Sequence, residues 1–88
     1  MEKDRLKLKL FAAFRETVGQ GELDWPLGSS QTAGEVLDSL VGEYPALAGG
    51  AKSALVMVNR RYATRQTALQ PGDEVAFLPP VGGGQGVW

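Results

Sequence analysis

The sequence predicts an α+β fold: a mixed sheet of about four to five strands with one main helix packed on one face. Three observations predict it. Several short segments alternate apolar and polar residues with a period of two. One longer segment, opening on a capping box, has its apolar residues at helical spacing. Turn residues separate these segments in the order β-β-α-β-(β)-β, with no internal repeat and no sign of a second domain.

Taken in order, 5–11 is the first strand: Leu6, Leu8 and Leu10 point one way, Lys7 and Lys9 the other. Residues 12–18 read as a short helical or irregular turn ending at Gly19. Glu22-Leu23-Asp24-Trp25 alternates again and stops at Pro26, with Gly19-Gln20-Gly21 as part of a hairpin connection. Thr32 and Glu35 have the spacing of a capping box, in which each side chain satisfies a free backbone N–H of the first turn. Val36, Leu37, Leu40, Val41 and Tyr44 then form one apolar stripe, and Pro45 ends the helix. Gly34 weakens its first turn, by up to about 1 kcal/mol relative to Ala.

Residues 47–52 read as a loop or short turn. Ala54-Leu55-Val56-Met57-Val58 is apolar on both faces, which places this third strand at the centre of the sheet. Asn59-Arg60 suits a turn, with Arg61-Tyr62-Ala63 returning as a short strand. Gln70-Pro71-Gly72-Asp73 is a tight turn, since Pro presets φ and Gly supplies positive φ. Residues 74–78 form the last strand, ended by Pro79 and Pro80.

Composition narrows the function. The 88 residues carry nine basic and ten acidic side chains, a balance that argues against a general nucleic-acid or anionic-membrane binder. No apolar run approaches the ~20 residues of a membrane span. Met1-Glu2-Lys3-Asp4-Arg5 is too charged for a signal peptide, so a cytoplasmic location is expected. The chain has no Cys and no His. It therefore lacks a thiolate nucleophile, an imidazole base and an ordinary zinc site, and we expect no enzyme acting alone.

Candidate chemistry concentrates in Pro79-Pro80-Val81-Gly82-Gly83-Gly84-Gln85-Gly86-Val87-Trp88. A phosphate-cradling reading of the glycines fails, because no helix follows to present N–H groups. A disordered tail is the plainest alternative. A sharper one starts from the two prolines, which end sheet pairing and favour a stiff exit. From Pro79 to Gly84 the chain can span roughly 20 Å at ~3.3 Å per residue. Without Cβ atoms, Gly82 to Gly84 can enter a channel too narrow for other residues. Such a tail can deliver an acyl group to another protein's active site. Elsewhere, Arg60, Arg61 and Arg65 around Tyr62 read as a solvated hairpin or docking rim rather than an RNA contact. Arg15-Glu16 reads as an exposed ion pair worth under about 1 kcal/mol. Trp25 reads as core or edge packing rather than a ligand platform.

Leu10-Phe11-Ala12-Ala13-Phe14-Arg15-Glu16-Thr17-Val18-Gly19 resembles the opening strand and turn of the MoaD family, the sulfur-carrying small subunits of molybdopterin synthase within the ThiS/MoaD superfamily. Val58-Asn59 resembles that family's central strand end. The run from Gly72 through Leu78-Pro79-Pro80-Val81 into the glycines is similar to its C-terminal signature. The resemblance spans residues 5–84 and implies a ubiquitin-like β-grasp domain over 5–81, followed by a flexible tail over 82–88. It further implies that an E1-like, MoeB-like adenylyltransferase joins a terminal glycine carboxylate to AMP, using ATP that this chain does not itself bind. A sulfur donor then leaves a thiocarboxylate, and the tail enters a MoaE-like large subunit to supply sulfur for the molybdopterin dithiolene. Gly84 matches the acceptor glycine and Gly83 precedes it. Gly82 stands where the family usually has Ser or Thr. Phe77, Pro79, Pro80 and Val81 would line the docking surface and tail base, and Arg15 matches a family arginine with an interface role. No cofactor is expected on the chain itself.

One departure bears on the chemistry. Gln85-Gly86-Val87-Trp88 follows Gly84, whose carbonyl is therefore an amide and cannot be adenylated. Either a protease removes these four residues, or the chain is a non-carrier relative that binds a partner through sheet and tail, or the extension does not belong to the native gene. Related carriers feed thiamin, cysteine, tRNA thiolation or tungsten cofactor. The thiamin carrier usually lacks a Pro-Pro-Val before its glycines; the other pathways stay open.

Overall fold

A computed structural model describes residues 5–28 and 32–79. Five strands form one mixed sheet: β1 (Arg5–Leu10), β2 (Glu22–Pro26), β3 (Leu55–Val58), β4 (Arg61–Ala63) and β5 (Glu74–Leu78). Their spatial order is β2-β1-β5-β3-β4. β1 and β5 run parallel, and every other neighbouring pair is antiparallel. Three helices and a 3₁₀ turn complete the fold: α1 (Ala12–Val18), α2 (Ala33–Glu43), the 3₁₀ turn Pro45–Leu47 and α3 (Ala48–Ala51). The α+β class and the helix-on-sheet arrangement agree with the sequence reading.

The central strand differs from expectation. β5 occupies the middle, and β3 lies one place toward the edge. The cause is the parallel pairing of β1 with β5, Leu8 opposite Val75 and Leu10 opposite Phe77, which inserts the last strand between the first and the third. β3 is apolar on both faces, as read, but its second face stays open. Of the two less regular segments, 12–18, read as a short helical or irregular turn, is a helix, and the 47–52 loop or short turn is largely helical as well. Residues 12–18 form α1, closed by Gly19 at φ 92°, whose N–H donates to the Arg15 carbonyl at 2.8 Å. Residues 45–51 form the 3₁₀ turn and α3.

One face of the sheet carries the core. Leu6, Leu8 and Leu10 of β1, Val75 and Phe77 of β5, and Val56 of β3 are buried against Val36, Leu37 and Leu40 of α2, with Phe14, Leu47 and Leu69 at the margins. Trp25 packs on the rim of this core, as expected. The capping box of α2 forms as read: the Glu35 N–H donates to Thr32 Oγ1 at 3.3 Å, and the Thr32 N–H to Glu35 Oε1 at 3.2 Å. Gly34 has a packing reason as well as a propensity cost. Its N–H donates to the Arg65 carbonyl at 2.8 Å, and a Cβ there would lie 2.9 Å from Arg65 Cβ and 3.0 Å from its carbonyl oxygen. Only a glycine lets the 64–67 loop lie on the start of α2.

Two turns set the strand register. Asn59 (φ 52°) and Arg60 (φ 70°) make a two-residue hairpin loop with both residues left-handed, as a type I′ turn requires, which places Met57 opposite Tyr62. In the Gln70–Asp73 turn, Gly72 has φ 90° and the Asp73 N–H donates to the Gln70 carbonyl at 3.1 Å. The two turns are tied together. Asn59 Nδ2 donates to Asp73 Oδ1 at 3.1 Å, and the Glu74 N–H donates to Asn59 Oδ1 at 3.0 Å. The Gln70 N–H also donates to Asp73 Oδ2 at 2.9 Å. Asn59 and Asp73, both inside segments that carry the family resemblance, thus have structural work to do.

Candidate functional site

Among the described residues, no helix lies over the sheet face opposite α2. Register assigns its residues: Glu22 and Asp24 from β2, Lys7 and Lys9 from β1, Glu74, Ala76 and Leu78 from β5, Leu55 and Met57 from β3, Tyr62 from β4. They sort into two halves. On β2 and β1 the face is charged, with Lys7 paired to Glu22 at 3.4 Å and Lys9 to Glu74 at 3.8 Å. On β5, β3 and β4 it is apolar. Leu55 is 40% exposed and Tyr62 82%, and Phe11, just beyond β1, is 43% exposed. Large apolar groups left in water together, rimmed by charge, mark an interaction surface.

Two shallow grooves cross this apolar half. One, of about 240 Å³, is lined by Leu55, Met57, Tyr62 and Leu78. The other, of about 140 Å³, lies between Phe11, Met57, Ala76 and Leu78, with Arg60 and Glu74 at its charged end. Leu78 and Met57 belong to both. Pro79, half-buried, follows Leu78 directly, so the chain leaves the sheet at the apolar end of this surface.

The sequence-predicted site residues are only partly brought together. Phe77 does not line the open surface: it is 0% exposed and opposes Leu10 and Val56 in the core. Alternation along β5 turns Ala76 and Leu78 outward instead. Pro79 stands at the exit as expected. Pro80, Val81, Gly82, Gly83 and Gly84 lie outside the described residues, as do Gln85 to Trp88 and the tail boundary at 81/82. Arg15 is exposed on α1 with its side-chain stem against Gly21, and it lines neither groove. Among the described residues no ion pair joins Arg15 to Glu16, contrary to expectation.

The basic cluster divides. Arg65 Nη2 reaches Asp38 Oδ1 on α2 at 2.8 Å, whereas Arg60 stays 3.9 Å from Glu74 at the rim of the smaller groove. That fits the solvated hairpin of the sequence reading. The sequence reading singles out Tyr62 only as the aromatic of the basic hairpin, and does not single out Phe11, Leu55, Met57 or Leu78 as surface residues. A usable signal existed: the two-residue turn at Asn59-Arg60 places Met57 and Tyr62 opposite each other, on one face. Among the described residues no cluster of His, Cys, Asp or Glu is placed to hold a metal ion, and no helix is long and apolar enough to cross a membrane.

A five-stranded β-grasp sheet with one helix-covered face, an open apolar face and a proline exit defines the class: a small ubiquitin-like protein. The chain belongs to the ThiS family, whose model matches residues 8–84, and so to the ubiquitin-like carriers of the ThiS/MoaD type. It is 40% identical over 90 residues to small archaeal modifier protein 3 of Haloferax volcanii, covering 90% of this chain and 98% of that one. It is 34% identical to the molybdopterin synthase sulfur carrier subunit of Arabidopsis thaliana, over 90% of this chain and 82% of the relative. The crystal structure of small archaeal modifier protein 1 from Haloferax volcanii superposes with a TM-score of 0.74 at 32% identity, covering 91% of this chain and 99% of that one.

Proposed function

We propose that the chain is a sulfur carrier acting in the cytoplasm as the small subunit of a molybdopterin synthase. The observation that carries this is the apolar open face ending at Pro79, from which a tail with Gly82, Gly83 and Gly84 continues. A docking surface and a slender arm leave the domain together. Relatives at 34% identity, named as molybdopterin synthase sulfur carrier subunits, support the pathway.

The chemistry needs little from this chain's own side chains. A protease first hydrolyses the Gly84–Gln85 amide. The Gly84 carboxylate then attacks the α-phosphorus of ATP held by an E1-like adenylyltransferase, and pyrophosphate leaves. The resulting acyl adenylate is electrophilic where the free carboxylate was not. A sulfur nucleophile adds to the carbonyl, AMP departs, and the thiocarboxylate remains. A MoaE-like large subunit docks on the open face around Leu55, Met57 and Leu78, with Pro79, Pro80 and Val81 at the base of the arm. The glycines carry the sulfur into its active site.

The test uses two forms, the full chain and one ending at Gly84, each incubated with the adenylyltransferase, ATP and a sulfide donor. Intact mass should show sulfur-for-oxygen exchange in the Gly84-ending form alone. Its absence there would refute the carrier reading. Protein from its native cells should include a species lacking Gln85 to Trp88. Co-purification of a MoaE-like subunit supports molybdopterin synthesis, whereas a different acceptor enzyme reassigns the pathway.

A second reading is favoured by the 40% identity to a small archaeal modifier protein. In it the same acyl adenylate is taken by a protein amine, and the chain becomes a modifier. Branched peptides carrying Gly84 on a lysine would then appear in native lysates.

A further inference from the structure

The sheet ends in two unlike edges, β2 and β4, and the register fixes which backbone groups each presents. The Leu10 N–H donates to the Gly21 carbonyl at 2.9 Å, whereas the Lys7 N–H turns the other way, to the Asp73 carbonyl at 3.0 Å. Leu6 and Leu8 therefore bond to Trp25 and Leu23, and Glu22 and Asp24 direct their N–H and C=O groups away from the sheet. On the far side, the Asn59 N–H donates to the Glu74 carbonyl at 2.7 Å. Val58 and Val56 accordingly bond to Arg61 and Ala63, and Tyr62 directs its N–H and C=O outward. Among the described residues no strand pairs with either outer edge.

We propose that the β4 edge of one copy of this chain pairs with the β2 edge of a second copy, joining two sheets into one. The inference rests on the edges alone and not on the sulfur-carrier reading.

Charge selects this occupant. β2 presents two carboxylates: Glu22 is offset by Lys7 at 3.4 Å, while Asp24 makes no ion pair among the described residues. β4 and its turn present two arginines. Arg60 has an 82% exposed side chain and stays 3.9 Å from Glu74, and Arg61 makes no ion pair among the described residues. Charge on an edge blocks pairing with a like edge. A two-fold contact through β4 would set arginine against arginine, and one through β2 carboxylate against carboxylate. Opposite charges across a strand pair are favourable and like charges are not, so the complementary contact is β4 with β2.

Direction and facing agree with it. β1 and β5 are parallel and the other pairs antiparallel, so β2 and β4 run in opposite directions. A second copy set beside the first in the same orientation therefore brings β2 antiparallel to β4. Tyr62 opposite Glu22 is the register that also places Arg60 opposite Asp24, all on the open side of the sheet. Tyr62 and Glu22 would then exchange both of their outward backbone bonds. The helices of both copies stay on one side, and the open face stays uncovered. Each pair retains one free edge of each kind, so association runs head to tail and does not close as a dimer.

Sedimentation velocity of the full chain, from micromolar to millimolar protein, tests this. At low ionic strength the mean mass should rise with concentration, and added salt should lower it again. Asp24→Lys, and Arg60→Glu combined with Arg61→Glu, should each weaken self-association about tenfold, because each leaves a copy with two edges of one sign. An equimolar mixture of these two variants should regain it, since the reversed edge of each meets the reversed edge of the other. In backbone amide spectra, Glu22, Asp24 and Tyr62 should shift with concentration, while Val36 and Leu40 of α2 stay in place in the full chain and in both variants. A full chain that remains monomeric at millimolar concentration and low salt would overturn the proposal. So would a mixture no more associated than either variant alone. Shifts confined to Leu55, Met57 and Leu78 would overturn it too, because the copies would then stack through the open face.

Discussion

The two faces of the sheet are built from the same strands by the same alternation, yet they serve opposite ends. On the covered face, Leu8, Val36, Val75 and Phe77 are fully buried and hold the fold. On the open face, Leu55 and Tyr62 stand in water with Met57 half-buried, next to a charged half paired through Lys7–Glu22 and Lys9–Glu74. The difference teaches that hydrophobicity alone does not identify the core of a small domain. What separates the faces is the amphipathic helix that covers one of them. An apolar face without a covering element costs folding little when truncated, because its side chains bury less area on folding.

That contrast can be broken most forcefully from the covered side. Phe77→Ala should destabilise the protein by about 3–5 kcal/mol, a large share of a small domain's stability. Urea unfolding would show it as a lower midpoint or a chain already unfolded in buffer; a loss under about 1 kcal/mol would mean that Phe77 is not where the core lies. Gly34→Ala comes next. A gain of up to about 1 kcal/mol in helix propensity competes with overpacking against Arg65, typically about 1–3 kcal/mol, so net destabilisation is expected. A stabilised variant would show that the 64–67 loop yields easily.

The turn network has a smaller expected effect. Asn59→Ala and Asp73→Ala should each cost about 1 kcal/mol, and the double variant less than the sum, because they share a hydrogen bond. Additive losses in a double-mutant cycle would separate the two turns. On the open face, Tyr62→Ala should change stability by no more than about 0.5 kcal/mol while weakening capture of the MoaE-like subunit proposed above. Equal loss of stability and binding would erase the contrast between faces. Smallest of all, Lys7→Ala should cost under about 1 kcal/mol, with the difference shrinking further in high salt.

Much of the fold was legible locally. The alternation in 5–10, the capping box at Thr32 and Glu35, and the Pro71-Gly72 turn each reflect forces acting over a few residues, and each stands in the structure. The family resemblance was legible too, through segments whose Asn59 and Asp73 bind the turns together. The open face was less so. The family resemblance puts Phe77 on the docking surface, whereas period two in Glu74–Leu78 puts it with Val75, and it is the hairpin register that makes Met57 and Tyr62 neighbours.

By itself, the sequence determined which segments become strands and which becomes the main helix, where they stop, and that a glycine-rich arm follows two prolines. Only the tertiary structure decided that β5 lies in the middle of the sheet, that Gly34 is needed for a close approach by Arg65, and that one apolar face goes uncovered. Periodicity and capping act between near neighbours along the chain. Strand order and the covering of a face depend on pairings between residues dozens of positions apart, such as Leu10 with Phe77, which no local pattern records.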